Sequence, residues 1–92
     1  MTDPEKLEAQ RKIRNRLRRA RGQLDAVITA VEQGASCRDV VTQLAAVSSA
    51  LDRAGYAIVA TAMTQCIEDP EGAAESDGLT REELEKLFLM LA

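Results

Sequence analysis

The sequence predicts an all-α protein: three helices per chain, two long and antiparallel and one short and C-terminal, in an antiparallel helical-bundle dimer or larger assembly. Three observations carry that expectation. Apolar residues recur at three- and four-residue steps over two stretches of roughly thirty residues each. The apolar set is Ala, Val, Leu and Ile, with Tyr56 and Phe88 as the aromatics. Such side chains fill thin seams between helices, and a chain of 92 residues has little core for its surface. Self-association is then the simplest way to bury enough apolar area. Residues 1–92 are read as a single domain.

The first helix, about 4–33, opens at Thr2-Asp3-Pro4, where Asp3 can cap and Pro4 suits the first helical position. Its stripe is Ile13, Leu17, Ala20, Leu24, Val27, Ile28 and Val31, and it should stop near Gly34. The second, about 37–67, follows Ser36, whose hydroxyl can cap, with Asp39 completing a capping-box pattern. Its stripe runs from Val40 to Met63 and keeps phase through Gly55, which is a weak point but not a break. Asp69-Pro70 ends it, and Glu71–Gly78 is expected as a small, polar, acidic loop. The third, about 81–91, has the box Thr80 with Glu83 and then Leu84, Leu87, Phe88 and Leu91. It is short enough to need docking.

Composition excludes several function classes. Histidine is absent, which removes most zinc, nickel, cobalt and haem sites and all His-based acid–base catalysis. No enzyme activity and no resident cofactor are expected. The charged start Met1–Lys6 is not a basic-then-apolar leader, and no apolar run approaches membrane-spanning length. A soluble, cytoplasmic protein without a membrane partner is expected, with its two cysteines kept as thiols.

The net charge of −3 conceals an asymmetry. Residues 11–21 carry seven bases, Arg11, Lys12, Arg14, Arg16, Arg18, Arg19 and Arg21, and no acid. Residues 68–85 carry eight acids, Glu68, Asp69, Glu71, Glu75, Asp77, Glu82, Glu83 and Glu85, against Arg81. A helical wheel puts Arg14, Arg18, Arg21 and Arg11 on one flank of the apolar seam and Lys12, Arg16 and Arg19 on the other. Like charges at i,i+4, such as Arg14 and Arg18, destabilise a lone helix, so their retention points to an external anion. Arginine matches phosphate through its fork of donors. The bland alternative is a solvated face balanced by the acidic tail. No helix-turn-helix with a tight Gly turn is evident, and no aromatics stand near the basic stretch for unpaired bases to stack on. Duplex DNA is the expected polyanion.

Cys37 and Cys66 are 29 residues apart, which leaves about 20° after eight helical turns. Both fall on one face of the second helix, roughly 43 Å apart if it is unbroken. A disulfide needs Cα atoms within about 7 Å, so they cannot meet in one chain. Two copies packed antiparallel about a twofold axis would put each Cys37 opposite a Cys66. Cys37 occupies the first helical turn beside Arg38, where backbone N–H groups favour a thiolate; Cys66 lies beside Glu68 and Asp69. One nucleophile and one resolving partner suit a thiol sensor. Two small buried hydrophobes are the alternative.

The stretch Arg16-Leu17-Arg18-Arg19-Ala20-Arg21-Gly22-Gln23-Leu24, with Cys37, the apolar run and Cys66 after it, resembles the family of copper-sensitive-operon repressors, CsoR. The resemblance covers roughly residues 10–68. It implies helical dimers that pair into tetramers, operator binding without a standard motif, and release of DNA when an effector binds between subunits. It further implies sensing thiols at Cys37 and Cys66 and DNA contacts at Arg16 and Arg53. Copper-sensing members carry His four residues before the second Cys; here that residue is Ala62. The pattern without His looks like the CsoR-like sulfurtransferase repressor (CstR) branch. Those members respond to persulfides by forming interchain di- or polysulfide bridges.

The expectation is therefore a repressor that binds operator DNA through Lys12, Arg14, Arg16, Arg18, Arg19, Arg21 and Arg53. A persulfide or polysulfide effector would link Cys37 and Cys66 of neighbouring subunits, with sulfide-detoxification genes implied as the targets by the resemblance. A Cu(I) sensor using the same two thiolates is the first alternative. A sulfur carrier and a helical adaptor that binds an acidic protein are the others.

Overall fold

The computed structural model of the chain describes residues 4–72 and 78–92, and every described element is helical. Helix α1 spans Pro4–Glu32, α2 spans Cys37–Glu68 and α3 spans Arg81–Leu91. Asp3, Glu75 and Asp77, named above as cap and acidic loop, lie outside the described residues. The chain divides into two compact units, Met1–Ala54 and Gly55–Ala92. Among the described residues no helix is long and apolar enough to cross a membrane.

Each helix ends for a local reason. At the close of α1, Gly34 takes a φ of 73°, a left-handed conformation that costs glycine nothing. The Gly34 amide donates to the Val31 carbonyl at 3.1 Å and the Ala35 amide to the Ala30 carbonyl at 2.9 Å. These two bonds form a Schellman closure and satisfy carbonyls that a helix end leaves open. Helix α2 then starts at once, because Ser36 Oγ accepts from the Asp39 amide at 3.1 Å.

The end of α2 corrects the expected loop. Asp69-Pro70 does stop α2, but residues 70–72 are themselves helical. Asp69 Oδ1 accepts from the Gly72 amide at 3.1 Å, so Asp69 caps the turn that Pro70 opens. One dipeptide is both a stop and a start, and the chain has a short fourth helical segment where three helices were expected. Thr80 completes a reciprocal box with Glu83: its Oγ1 accepts from the Glu83 amide at 3.2 Å, and its own amide donates to Glu83 Oε1 at 3.4 Å.

The interior is made of small side chains. In the first unit the buried residues are Ala20, Val27 and Ala30 of α1 with Val47 and Ala54 of α2. The larger stripe members beside them, Leu17, Leu24, Leu44 and Leu51, each keep 41–48% of their surface exposed. In the second unit Leu84 is buried and the Tyr56 and Phe88 rings meet at a centroid distance of 5.6 Å. Gly55 has a packing role there: a Cβ at this position would stand 3.0 Å from both terminal carbons of Leu91.

Candidate nucleic-acid interface and thiol pair

The basic run lies on the surface of α1, and Lys12, Arg11, Arg14, Arg16, Arg18, Arg19 and Arg21 are all exposed. Arg53, on α2, is exposed too. Arg11 is the member of the run with an acidic partner. Its Nε donates to Glu8 Oε2 at 3.1 Å and its Nη2 to Glu8 Oε1 at 2.5 Å. That hydrogen bond, with the charge of Arg11 behind it, holds the Glu8 carboxyl below the usual glutamate range. The same bond holds Arg11 more firmly protonated. Among the described residues the other ion pair is Arg81 Nε with Glu85 Oε1 at 3.9 Å. Among the described residues, the remaining six bases of the run and Arg53 have no ion-pair partner.

Five residues of α1 surround one cleft of about 270 Å³: Arg11, Lys12, Asn15, Arg16 and Arg19. The wheel grouped Arg11 with Arg14, Arg18 and Arg21. Its long side chain instead joins the Lys12 side, and none of those other three lines the cleft. Asn15, half-buried and neutral, is a contributor that charge counting could not reveal. Glu8 was missed for a related reason, since the count of acids began at residue 11. Its i,i+3 spacing to Arg11 was the available signal.

Cys37 is the first residue of α2 and is exposed. Cys66 lies in the last turn of the same helix, is half-buried, and opens on a cleft of about 470 Å³ with Ile67, Pro70, Leu79, Thr80 and Arg81. Both are free thiols, and they fall in different compact units. Among the described residues no group of three or more His, Cys, Asp or Glu comes together as a metal site. Each thiol therefore has at most a partial donor set within its own chain. Ala62, four residues before Cys66, is half-buried and offers no donor.

A family model described as a metal-sensitive transcriptional repressor matches residues 9–91. The copper-sensing transcriptional repressor CsoR of Mycobacterium ulcerans (strain Agy99) is 41% identical over 69 residues, 71% of this chain and 59% of its own. An uncharacterized protein, YrkD, of Bacillus subtilis (strain 168) is 43% identical over 58 residues, 62% of this chain and 92% of its own. The copper-sensing transcriptional repressor CsoR of Mycobacterium tuberculosis (strain ATCC 25618 / H37Rv) is 34% identical over 74 residues, 80% of this chain and 59% of its own. The chain thus matches only 59% of the length of these mycobacterial relatives. No solved structure matches the chain.

Proposed function

The chain belongs to the family of metal-sensitive transcriptional repressors, and on that premise we propose that it holds operator DNA with the basic face of α1 and lets go when an effector joins Cys37 and Cys66. The observation that carries this reading is a helix with six exposed, unpaired bases in the same chain as two free thiols. The family is one of DNA-binding repressors rather than enzymes, which leaves no place for the sulfur-carrier alternative. An adaptor whose basic face meets only an acidic protein fits it no better.

The effector site is shared between subunits in this proposal. Cys37 of one chain and the partner subunit's Cys66 face each other across a twofold axis, and two such sites form per dimer. The half-exposed leucines Leu17, Leu24, Leu44 and Leu51 supply the apolar surface that a second copy would cover. That the mycobacterial relatives are copper-sensing repressors favours Cu(I) as the effector. Two thiolates suit this soft ion, which accepts linear coordination by sulfur. Binding would displace the thiol protons and tie two subunits together at each site, biasing the assembly toward a form with low DNA affinity.

A specific observation favours a second effector, a persulfide. The sequence has no His, and Ala62 stands where a third ligand would be. In that chemistry the Cys37 thiolate attacks the outer sulfur of R–S–SH, expelling the thiolate RS⁻ and becoming Cys37–S–SH. The partner subunit's Cys66 thiolate then attacks the Cys37 sulfur, expels hydrosulfide and leaves an interchain disulfide. Attack by a persulfidated Cys66 instead leaves a trisulfide.

One paired experiment tests both. Anaerobic titration with Cu(I) in a competing chelator, followed by DNA-binding assay, should show stoichiometric binding and release that Cys37→Ala or Cys66→Ala abolishes. Intact mass spectrometry on non-reducing samples after persulfide exposure should show unlinked monomers under the Cu(I) reading. Covalent dimers, disulfide-linked or heavier by whole sulfur atoms, with no Cu(I)-driven release, would transfer the assignment to the persulfide. A chain that meets neither effector would overturn the thiol-sensing role.

A further inference from the structure

The seven bases of residues 11–21 do not form one surface. Around the helix axis at 100° per residue, the cleft residues Arg11, Asn15, Arg19, Lys12 and Arg16 occupy a continuous arc of about 140°. They surround one concavity. Arg14 and Arg21 lie about 130° and about 150° from the middle of that arc, with Arg18 between the groups. The register of Arg14 and Arg21 places them beside Leu17 and Leu24, at the edge of the apolar strip left half-exposed. One set of cations thus encloses a hollow with a neutral amide at its centre, and the other borders an uncovered protein surface.

We infer that, on α1, the phosphate-gripping element is the cleft: Lys12, Arg16 and Arg19 each neutralise a phosphate, Asn15 donates a hydrogen bond to the same strand, and Arg14 and Arg21 take no part. This rests on the DNA-binding reading above and deepens it. The cleft residues span eight residue steps, or about 12 Å of helix, enough to meet neighbouring phosphates of one strand. A neutral amide among three cations can satisfy a phosphate or sugar oxygen that carries no further counterion. Arg11 is the exception within the arc, because Glu8 already occupies its donors. Glu8 therefore sits at the end of the cleft as an intramolecular competitor for the charge that DNA would otherwise engage.

The test is the salt dependence of binding to a mixed-sequence 30-bp duplex, measured with the full chain by fluorescence anisotropy. Phosphate contacts release counterions, and each lost contact reduces the slope of log K against log salt by about 0.9. Lys12→Ala, Arg16→Ala and Arg19→Ala should each reduce it by that amount for every subunit touching DNA. Asn15→Ala should weaken binding about fivefold at every salt with the slope unchanged. Glu8→Gln should steepen the slope, as Arg11 becomes available. Arg14→Ala and Arg21→Ala should leave the slope where it was, with unfolding midpoints confirming intact protein. A slope lowered equally by Arg14→Ala or Arg21→Ala overturns the partition while leaving a DNA-binding repressor in place. No duplex binding by the unaltered chain at any salt overturns the DNA-binding reading itself.

Discussion

A Cβ built on Gly55 would stand 3.0 Å from both Cδ atoms of Leu91, so the missing side chain of one residue is the seat of the other. Glycine inside a helix ordinarily costs about 1 kcal/mol relative to alanine. Here the bare backbone lets the last turn of α3 close on α2. The substitution Gly55→Ala should therefore yield much less than that amount of stability. In a Leu91→Ala background, where the obstruction is gone, it should yield nearly all of it. Urea denaturation of the four proteins gives the coupling directly, and strict additivity would refute the close approach.

The Glu8–Arg11 pair makes a prediction about acid. The Glu8 carboxyl is held below its ordinary range by the bond from Arg11. A carboxyl lowered in the folded state contributes stability above its unfolded pKa and loses it as pH falls through the folded one. The pair should thus persist through neutral pH and dissolve only in the acid range below an ordinary glutamate. Carboxyl chemical shifts followed through a pH titration should place the Glu8 midpoint below the ordinary glutamate range. In Arg11→Ala that midpoint should return to the ordinary range, and a Glu8 midpoint unmoved by the substitution would contradict the pairing.

Ala62 offers a way to separate the two effectors. The substitution Ala62→His adds an imidazole one helical turn before Cys66. If Cu(I) is the signal, a third donor should tighten binding at least tenfold in a chelator competition, with Cys37 and Cys66 unchanged. The rate of persulfide-induced crosslinking should hardly move, because imidazole takes no part in thiol–persulfide exchange. An unchanged Cu(I) affinity, with crosslinking intact, would reverse the preference.

Leu24 is 41% exposed on the strip beside the buried seam of α1. Leu24→Asp should leave the helices intact, since the site faces outward in a single chain. It should shift sedimentation toward monomers and weaken duplex binding in step. An oligomeric state indifferent to Leu24→Asp would remove this face from the assembly.

Much of the architecture was legible in the sequence, because helix boundaries are local chemistry. Ser36 and Thr80 announce caps, and Gly34 announces a stop. The turn at 70–72 was not, because Asp69-Pro70 reads equally well as the end of one helix or the opening of another. Which apolar residues are buried was also hidden. Periodicity assigns Leu17 and Ala20 to the same stripe, but the closeness of two helices decides which is covered, and the small residues allow that closeness. For the candidate site, exposure of the basic run could be read directly. Its division into two flanks was legible as well, with Arg11 as the exception, since it lines the cleft beside Lys12. The cysteine pair remains a statement about two chains, to which periodicity can point without supplying the partner.

The small interior has a consequence for the living cell. Ala20, Ala30 and Ala54 remove little apolar area from water, so a solitary copy gains little free energy by folding. If neighbouring copies cover the rest, copy number becomes a thermodynamic variable, and the melting temperature should climb with total protein. Dilution by growth and division would then loosen fold and regulation together, and abundance would set the threshold of response alongside the effector.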